Sequence, residues 1–130
     1  MDGRILFEKF ENGCLHSPGG VTDFGKIEWS EHPKFDGVAL KHIIKSAQTG
    51  GQFSYHLVRI APGKKIGFHI HETQLETHEV IAGSGTCVNG GVKIKYLPGV
   101  VNIFPIGAEH EISAGGDGLL IFAKFFPPLC

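Results

Sequence analysis

The sequence predicts an all-β fold, a sandwich or barrel of eight or more short strands. Three observations carry that expectation. Short apolar runs recur along the 130 residues, with no helical pattern longer than two turns. Nineteen glycines are spread between those runs and supply many turns. Asn89-Gly90-Gly91 separates two such runs and is a strong hairpin signal. A chain of this length forms one domain and buries roughly two-thirds of its unfolded surface without a disulfide.

Residues 1–37 are the least regular. Pro18-Gly19-Gly20 and His32-Pro33 break any long element, while Ile5, Leu6, Phe7, Phe24, Ile27, Trp29 and Phe35 suggest an arm. That arm packs either on its own barrel or on a second subunit. The barrel occupies 38–130. In 38–45, Lys41 and Lys45 share one face and Leu40, His42 and Ile44 the other, by the two-residue period of a strand. Residues 47–52 read as a turn. In 53–61 the charge of Arg59 marks the outward parity, which turns His56, Val58 and Ile60 inward. Residues 67–71 form a short strand. Residues 76–82 form another, ending at Gly83-Ser84-Gly85, read as a turn. The hairpin arms are 86–88 and 92–97; in the second, Lys93 and Lys95 face out and Val92, Ile94 and Tyr96 face in. Residues 100–104 read as a continuously apolar, buried strand. Residues 111–113 pair again, and 119–126 form a last apolar strand closed by Pro127-Pro128.

The net charge is −1 and no Lys/Arg cluster is present, which argues against a nucleic-acid partner. No apolar run approaches the roughly 20 residues of a membrane span. Charges interrupt the first eight residues too early for a secretory signal, so the expected location is cytoplasmic. Three cysteines, without CxxC spacing, read as free thiols, with Cys87 a small buried residue. The apolar arm and final strand predict a homodimer, because either would otherwise leave an exposed edge.

The chemistry concentrates in one stretch. His69 and His71 stand two apart on a strand and so share a face. Glu76 follows, and His110 lies downstream. Three imidazoles and a carboxylate suit a first-row divalent ion: Fe, Mn, Ni or Zn. Four protein donors on a six-coordinate ion leave two positions for water, substrate or oxygen, whereas structural zinc sites are usually closed and cysteine-rich.

The spacing of these residues resembles that of the RmlC-like, single-domain cupins. Their first motif is glycine, five residues, His-x-His, three or four residues, glutamate, six residues, glycine. Gly63, His69, His71, Glu76 and Gly83 fill it. The second is glycine, five residues, proline, one residue, glycine, two residues, histidine, three residues, asparagine. Gly99, Pro105, Gly107 and His110 match; Ala114 replaces the asparagine, and Val100 stands where an acidic residue is common. The resemblance implies a double-stranded β-helix, or jelly-roll, barrel with His69, His71, Glu76 and His110 on one metal.

His78 should share the face of Glu76 and reads as a general acid/base, a partner of the ligands, or a plain pocket residue. His42, His56 and Tyr96 are expected to line a substrate pocket. Three functions follow. The first is a small metalloenzyme acting on a small polar or carboxylate-bearing molecule; similar proteins are dioxygenases, decarboxylases, isomerases and lyases. The second is a non-catalytic small-molecule-binding or sensor module. The third is a metal-independent sugar-type isomerase with His78 or His56 as base.

Overall fold

Two long strands organise the molecule. In the computed structural model, which describes residues 3–130, β7 (Leu75–Asn89) and β10 (His110–Phe126) run antiparallel over almost their full lengths. The other elements are α1 (Arg4–Glu11), β1 (Cys14–Ser17), β2 (Gly20–Asp23), β3 (Ser30–Glu31), β4 (Val38–Ile44), α2 (Ser46–Thr49), β5 (Ser54–Ile60), β6 (Lys65–His69), β8 (Val92–Tyr96) and β9 (Val101–Phe104).

Each long strand serves two sheets. The second half of β10 pairs with β5, which continues through β4 to β3, while the first half of β7 pairs with β9. At the other end, the first residues of β10 pair with β6 and the last of β7 with β8. The result is an all-β jelly roll. Between its sheets lie Val38, Val58, Ile60, Val80, Tyr96, Phe104, Ile112, Leu119, Ile121 and Phe125.

The bend that lets β7 change sheets falls at Gly83–Gly85. This corrects the expectation of a turn there: the strand does not end but folds over, opposite a register shift in β10 between Ala114 and Leu119. Gly83 has φ +84°, and a Cβ on it would stand 2.0 Å from the Gly118 carbonyl oxygen. Both the backbone conformation and the close approach require glycine. Gly83→Ala is therefore expected to destabilise the protein by about 2–4 kcal/mol, read as a lower urea midpoint at unchanged slope.

The outer face of β4, β5 and β10 is covered by the chain before Val38. Phe7 and Phe24 are buried against Ile43, Leu57 and Phe122. The Phe10 ring meets Phe122 edge-on at 5.1 Å. The first of these contacts comes from α1, which exceeds the two-turn limit expected from sequence. Charges at Arg4, Glu8, Lys9 and Glu11 interrupt its apolar pattern, and it buries only Phe7.

Lys41 also differs from a simple solvated charge. It is 3% exposed, and its Nζ donates to the carbonyls of Glu11 (2.8 Å) and Phe24 (2.7 Å). A cation thus satisfies the C-terminal end of α1, where helix carbonyls lack partners and carry partial negative charge. Arg59 does face outward, with its guanidinium 4.2 Å from the Trp29 ring centroid.

The strand over 100–104 is not uniformly buried. Val101 and Ile103 are exposed, while Asn102 and Phe104 point inward. In β8, Val92 is exposed and Tyr96 fully buried. No helix among the described residues is long and apolar enough to cross a membrane.

Candidate metal centre

The four residues expected to hold a metal come together. One donor atom from each of His69, His71, Glu76 and His110 lies within 4.8 Å of the others. Strand pairing explains the convergence. His69 ends β6 directly opposite His110, which begins β10. His71 follows two residues later, and Glu76 enters at the start of β7, paired with Phe104 and Phe125.

Backbone contacts set which imidazole nitrogen faces the centre. Nδ1 of His69 donates to the Gly67 carbonyl at 2.8 Å, and Nδ1 of His110 to the Ala108 carbonyl at 3.1 Å. A carbonyl can only accept, so in the neutral rings both protons sit on Nδ1 and both Nε2 atoms present lone pairs. Metal-ligating histidines are oriented in this way.

The carboxylate is the hub. Glu76 Oε1 lies 3.2 Å from His71 Nε2 and 3.3 Å from His110 Nε2. The His110 approach is not a hydrogen bond: Glu76 Oε1 and His110 Nε2 are both buried and both lack a hydrogen-bond partner among the described residues. Two orphaned donor atoms facing each other would cost about 1–3 kcal/mol each, a cost a shared cation removes. The donor set and its orphans therefore fit a divalent transition metal. Burial alone would raise the Glu76 carboxyl, but His78, which lies against it and donates to Oε2, is the largest opposing influence, and the group is held well below the usual carboxylate range.

Behind Glu76 runs a directed chain of hydrogen bonds. Oε2 accepts from His78 Nε2 at 2.7 Å. His78 Nδ1 must then accept from the Tyr96 hydroxyl at 3.0 Å, and that hydroxyl oxygen accepts from Asn102 Nδ2 at 3.1 Å. Asn102 Oδ1 in turn accepts from Asn89 Nδ2 at 3.0 Å. Cys87, a free thiol pushed up to about 11 by burial, packs beside Asn102.

In front of the metal centre is a cavity of about 290 Å³. His69, His71 and Glu76 open onto it, Leu40, Val58, Ile66 and Phe125 form apolar walls, and His42 adds a polar group. Of the expected pocket residues, only His42 borders this space. His56 is fully buried behind it, bonded to His42 and Ser54, and Tyr96 is fully buried behind His78. His78 touches the cavity edge, yet is 2% exposed with both ring nitrogens engaged.

Ser30, His32 and Pro33, from the segment read as an arm, also line the cavity, as does Leu129 near the other end. Sequence reasoning missed these and also Ser54, Asn89 and Asn102. Asn102 carried a signal: a lone amide at an inward position between Val101 and Ile103, where an unpaired polar group would be costly.

No curated protein matches the chain by sequence. Its fold is similar to those of many solved structures. A predicted oxalate decarboxylase from Thermotoga maritima superposes with a TM-score of 0.72 at 20% identity, covering 79% of this chain and 95% of that one. The polyketide cyclase RemF from Streptomyces resistomycificus gives 0.67 at 19% identity, with 79% and 75% covered. The cupin domain of Schizosaccharomyces pombe Cnp3 gives 0.68 at 11% identity, with 89% and 85% covered. At these identities the likeness concerns the fold. Residues 56–123, more than half of the chain, match the family described as the cupin domain, so the chain belongs to the cupins.

Proposed function

We propose that this cupin is a metal-dependent enzyme acting on a small, oxygen-rich molecule, such as a carboxylate. The observation that carries the reading is the orphaned pair Glu76 Oε1 and His110 Nε2 beside an apolar-walled cavity of about 290 Å³. Such a space admits one small ligand. His69, His71, Glu76 and His110 would hold Fe, Mn, Ni or Zn. When bound, the ion supplies Lewis acidity and lowers the pKa of a coordinated water or ligand. The apolar walls exclude bulk water, and the chain's own imidazoles provide the polar contacts. The fold neighbours, which include a predicted decarboxylase and a cyclase, support a reaction on such a molecule without choosing one.

In this reading His78 positions the carboxylate instead of contacting substrate. Its Nε2–H fixes Glu76 Oε2, and Tyr96 fixes the other side of the ring. His78→Phe is expected to keep the fold and weaken metal binding roughly 10–100-fold, measured by competition with a chelating dye. The same bonds weigh against a metal-independent isomerase. Both nitrogens of His78 are engaged by Glu76 and Tyr96, and His56 is fully buried behind the cavity.

The test is reconstitution of metal-free protein with each of the four ions, followed by turnover assays on small carboxylic acids, thiols and diketones. Turnover that disappears in His69→Ala is the expected result. Metal binding without turnover would leave a non-catalytic ligand-binding cupin, and failure to bind any metal would remove the reading altogether.

A further inference from the structure

A second polar chain, separate from the metal ligands, ends in the same cavity. The amide of Leu129 donates to Ser54 Oγ at 2.8 Å. Ser54 Oγ lies 2.7 Å from His56 Nε2, and His56 Nδ1 lies 2.7 Å from His42 Nδ1. Ser54 and His56 are fully buried. His42 borders the cavity, and its Nε2 has no hydrogen-bond partner among the described residues yet is not a buried orphan.

Proton counting gives this chain one direction. The Ser54 oxygen already accepts from Leu129, and its own O–H has a single available acceptor, His56 Nε2. In the reverse arrangement a fully buried hydroxyl hydrogen would have no acceptor, a state proteins avoid. Ser54 therefore donates to His56 Nε2. His56 must then carry its proton on Nδ1 and donate to His42 Nδ1. His42 must carry its proton on Nε2, the nitrogen left without a protein partner among the described residues, on a side chain that borders the cavity.

The rings are not charged alternatives to this picture. Burial lowers His42, with Lys45 adding to the effect, and burial pushes His56 down to about 3, with His42 adding to it. A donor atom of each ring and the Cys130 sulfur lie within 4.8 Å of one another, but the two Nδ1 atoms, 2.7 Å apart, are too close to bind one ion together. Two nitrogens on one tetrahedral ion stand about 3.3 Å apart, given bonds of roughly 2.0–2.1 Å. At 2.7 Å the two rings share a proton.

We propose that Ser54 and His56 lock His42 as a neutral hydrogen-bond donor that reads an oxygen acceptor on the cavity's ligand. His42 is thus a recognition residue for a carboxylate, carbonyl or enolate oxygen, not a base. Its Nε2 is already protonated, and protonating Nδ1 would break the bond to His56. The Phe125 ring stands edge-on to both His56 (5.5 Å) and His71 (5.2 Å), and His42 lines the same cavity as His69, His71 and Glu76. The identity of the ligand rests on the proposed function; the proton pattern does not.

Two measurements separate these. Long-range proton–nitrogen NMR of the metal-free, nitrogen-15-labelled full chain should show His42 protonated on Nε2 and His56 on Nδ1. Ser54→Ala should erase that single-tautomer signature. A proton on His42 Nδ1, or an unchanged pattern in Ser54→Ala, would overturn the proposal. Zinc-loaded protein is then titrated with oxalate. His42→Phe should retain its zinc and bind oxalate about tenfold more weakly. Equal affinity in the two proteins, or no oxalate binding by wild type, would also overturn it. Failure to load zinc would sink the metal reading instead, leaving the NMR result to decide the role of His42.

Discussion

Adding zinc to the metal-free protein at a hundred times its dissociation constant is expected to raise the melting temperature by about 8–11 °C. A ligand that binds only the folded state stabilises it by about 2.7 kcal/mol at that concentration, and a domain of this size gains roughly 3–4 °C per kcal/mol. The donors are preassembled on strands that already pair, with His69 opposite His110, so little ordering opposes binding. Two of the donor atoms are buried without partners until a cation arrives. Glu76→Gln should lose most of the shift, because it leaves the shape but removes the charge that balances the ion. Calorimetry with parallel elemental analysis reads both effects, and an equal shift in Glu76→Gln would move the binding site elsewhere.

Acid should unfold the metal-free protein earlier than a carboxylate-only account predicts, and His56 should be the cause. Its folded-state pKa is pushed down to about 3, mainly by burial, from 6.5 for a free histidine. Between those values the unfolded chain binds a proton that the folded protein refuses. Stability is therefore complete above about pH 6.5 and declines as the pH falls toward 3. The full difference amounts to about 3–5 kcal/mol, a large share of the stability of such a domain. His42, also lowered, steepens the early part of the decline. Glu76, held well below the usual carboxylate range, adds its own loss only in the lower part of that window, where the unfolded chain's carboxyl takes up a proton and the folded one stays charged. His56→Gln should flatten the curve of unfolding free energy against pH between 6.5 and 3, whatever its effect at neutral pH. A slope equal to wild type would contradict this account.

Much of the site was legible because its signals are local and periodic. The two-residue spacing of His69 and His71, and the parity marked by Arg59, depend only on the pleat of a strand. Other features depend on what lies across the fold. Gly83-Ser84-Gly85 has turn composition, but the close approach of Gly118 makes it a bend within one strand. Lys41 carries a solvent-seeking charge, but two carbonyls from distant segments draw it under α1. Tyr96 and His56 have inward parity, as expected, yet inward in this barrel includes a layer behind the cavity. Parity cannot distinguish the layer that touches a ligand from the one that holds it.

The sharing of β7 and β10 between both sheets has a consequence for how this molecule breathes. Ser54 lies opposite Phe125, and Leu75 opposite Phe126, so the ladders join segments far apart in the chain. Such pairings form late and separate together. Opening one sheet strips partners from strands that also build the other. The backbone amides around Val80 and Ile121 should therefore exchange with solvent only when the whole barrel opens.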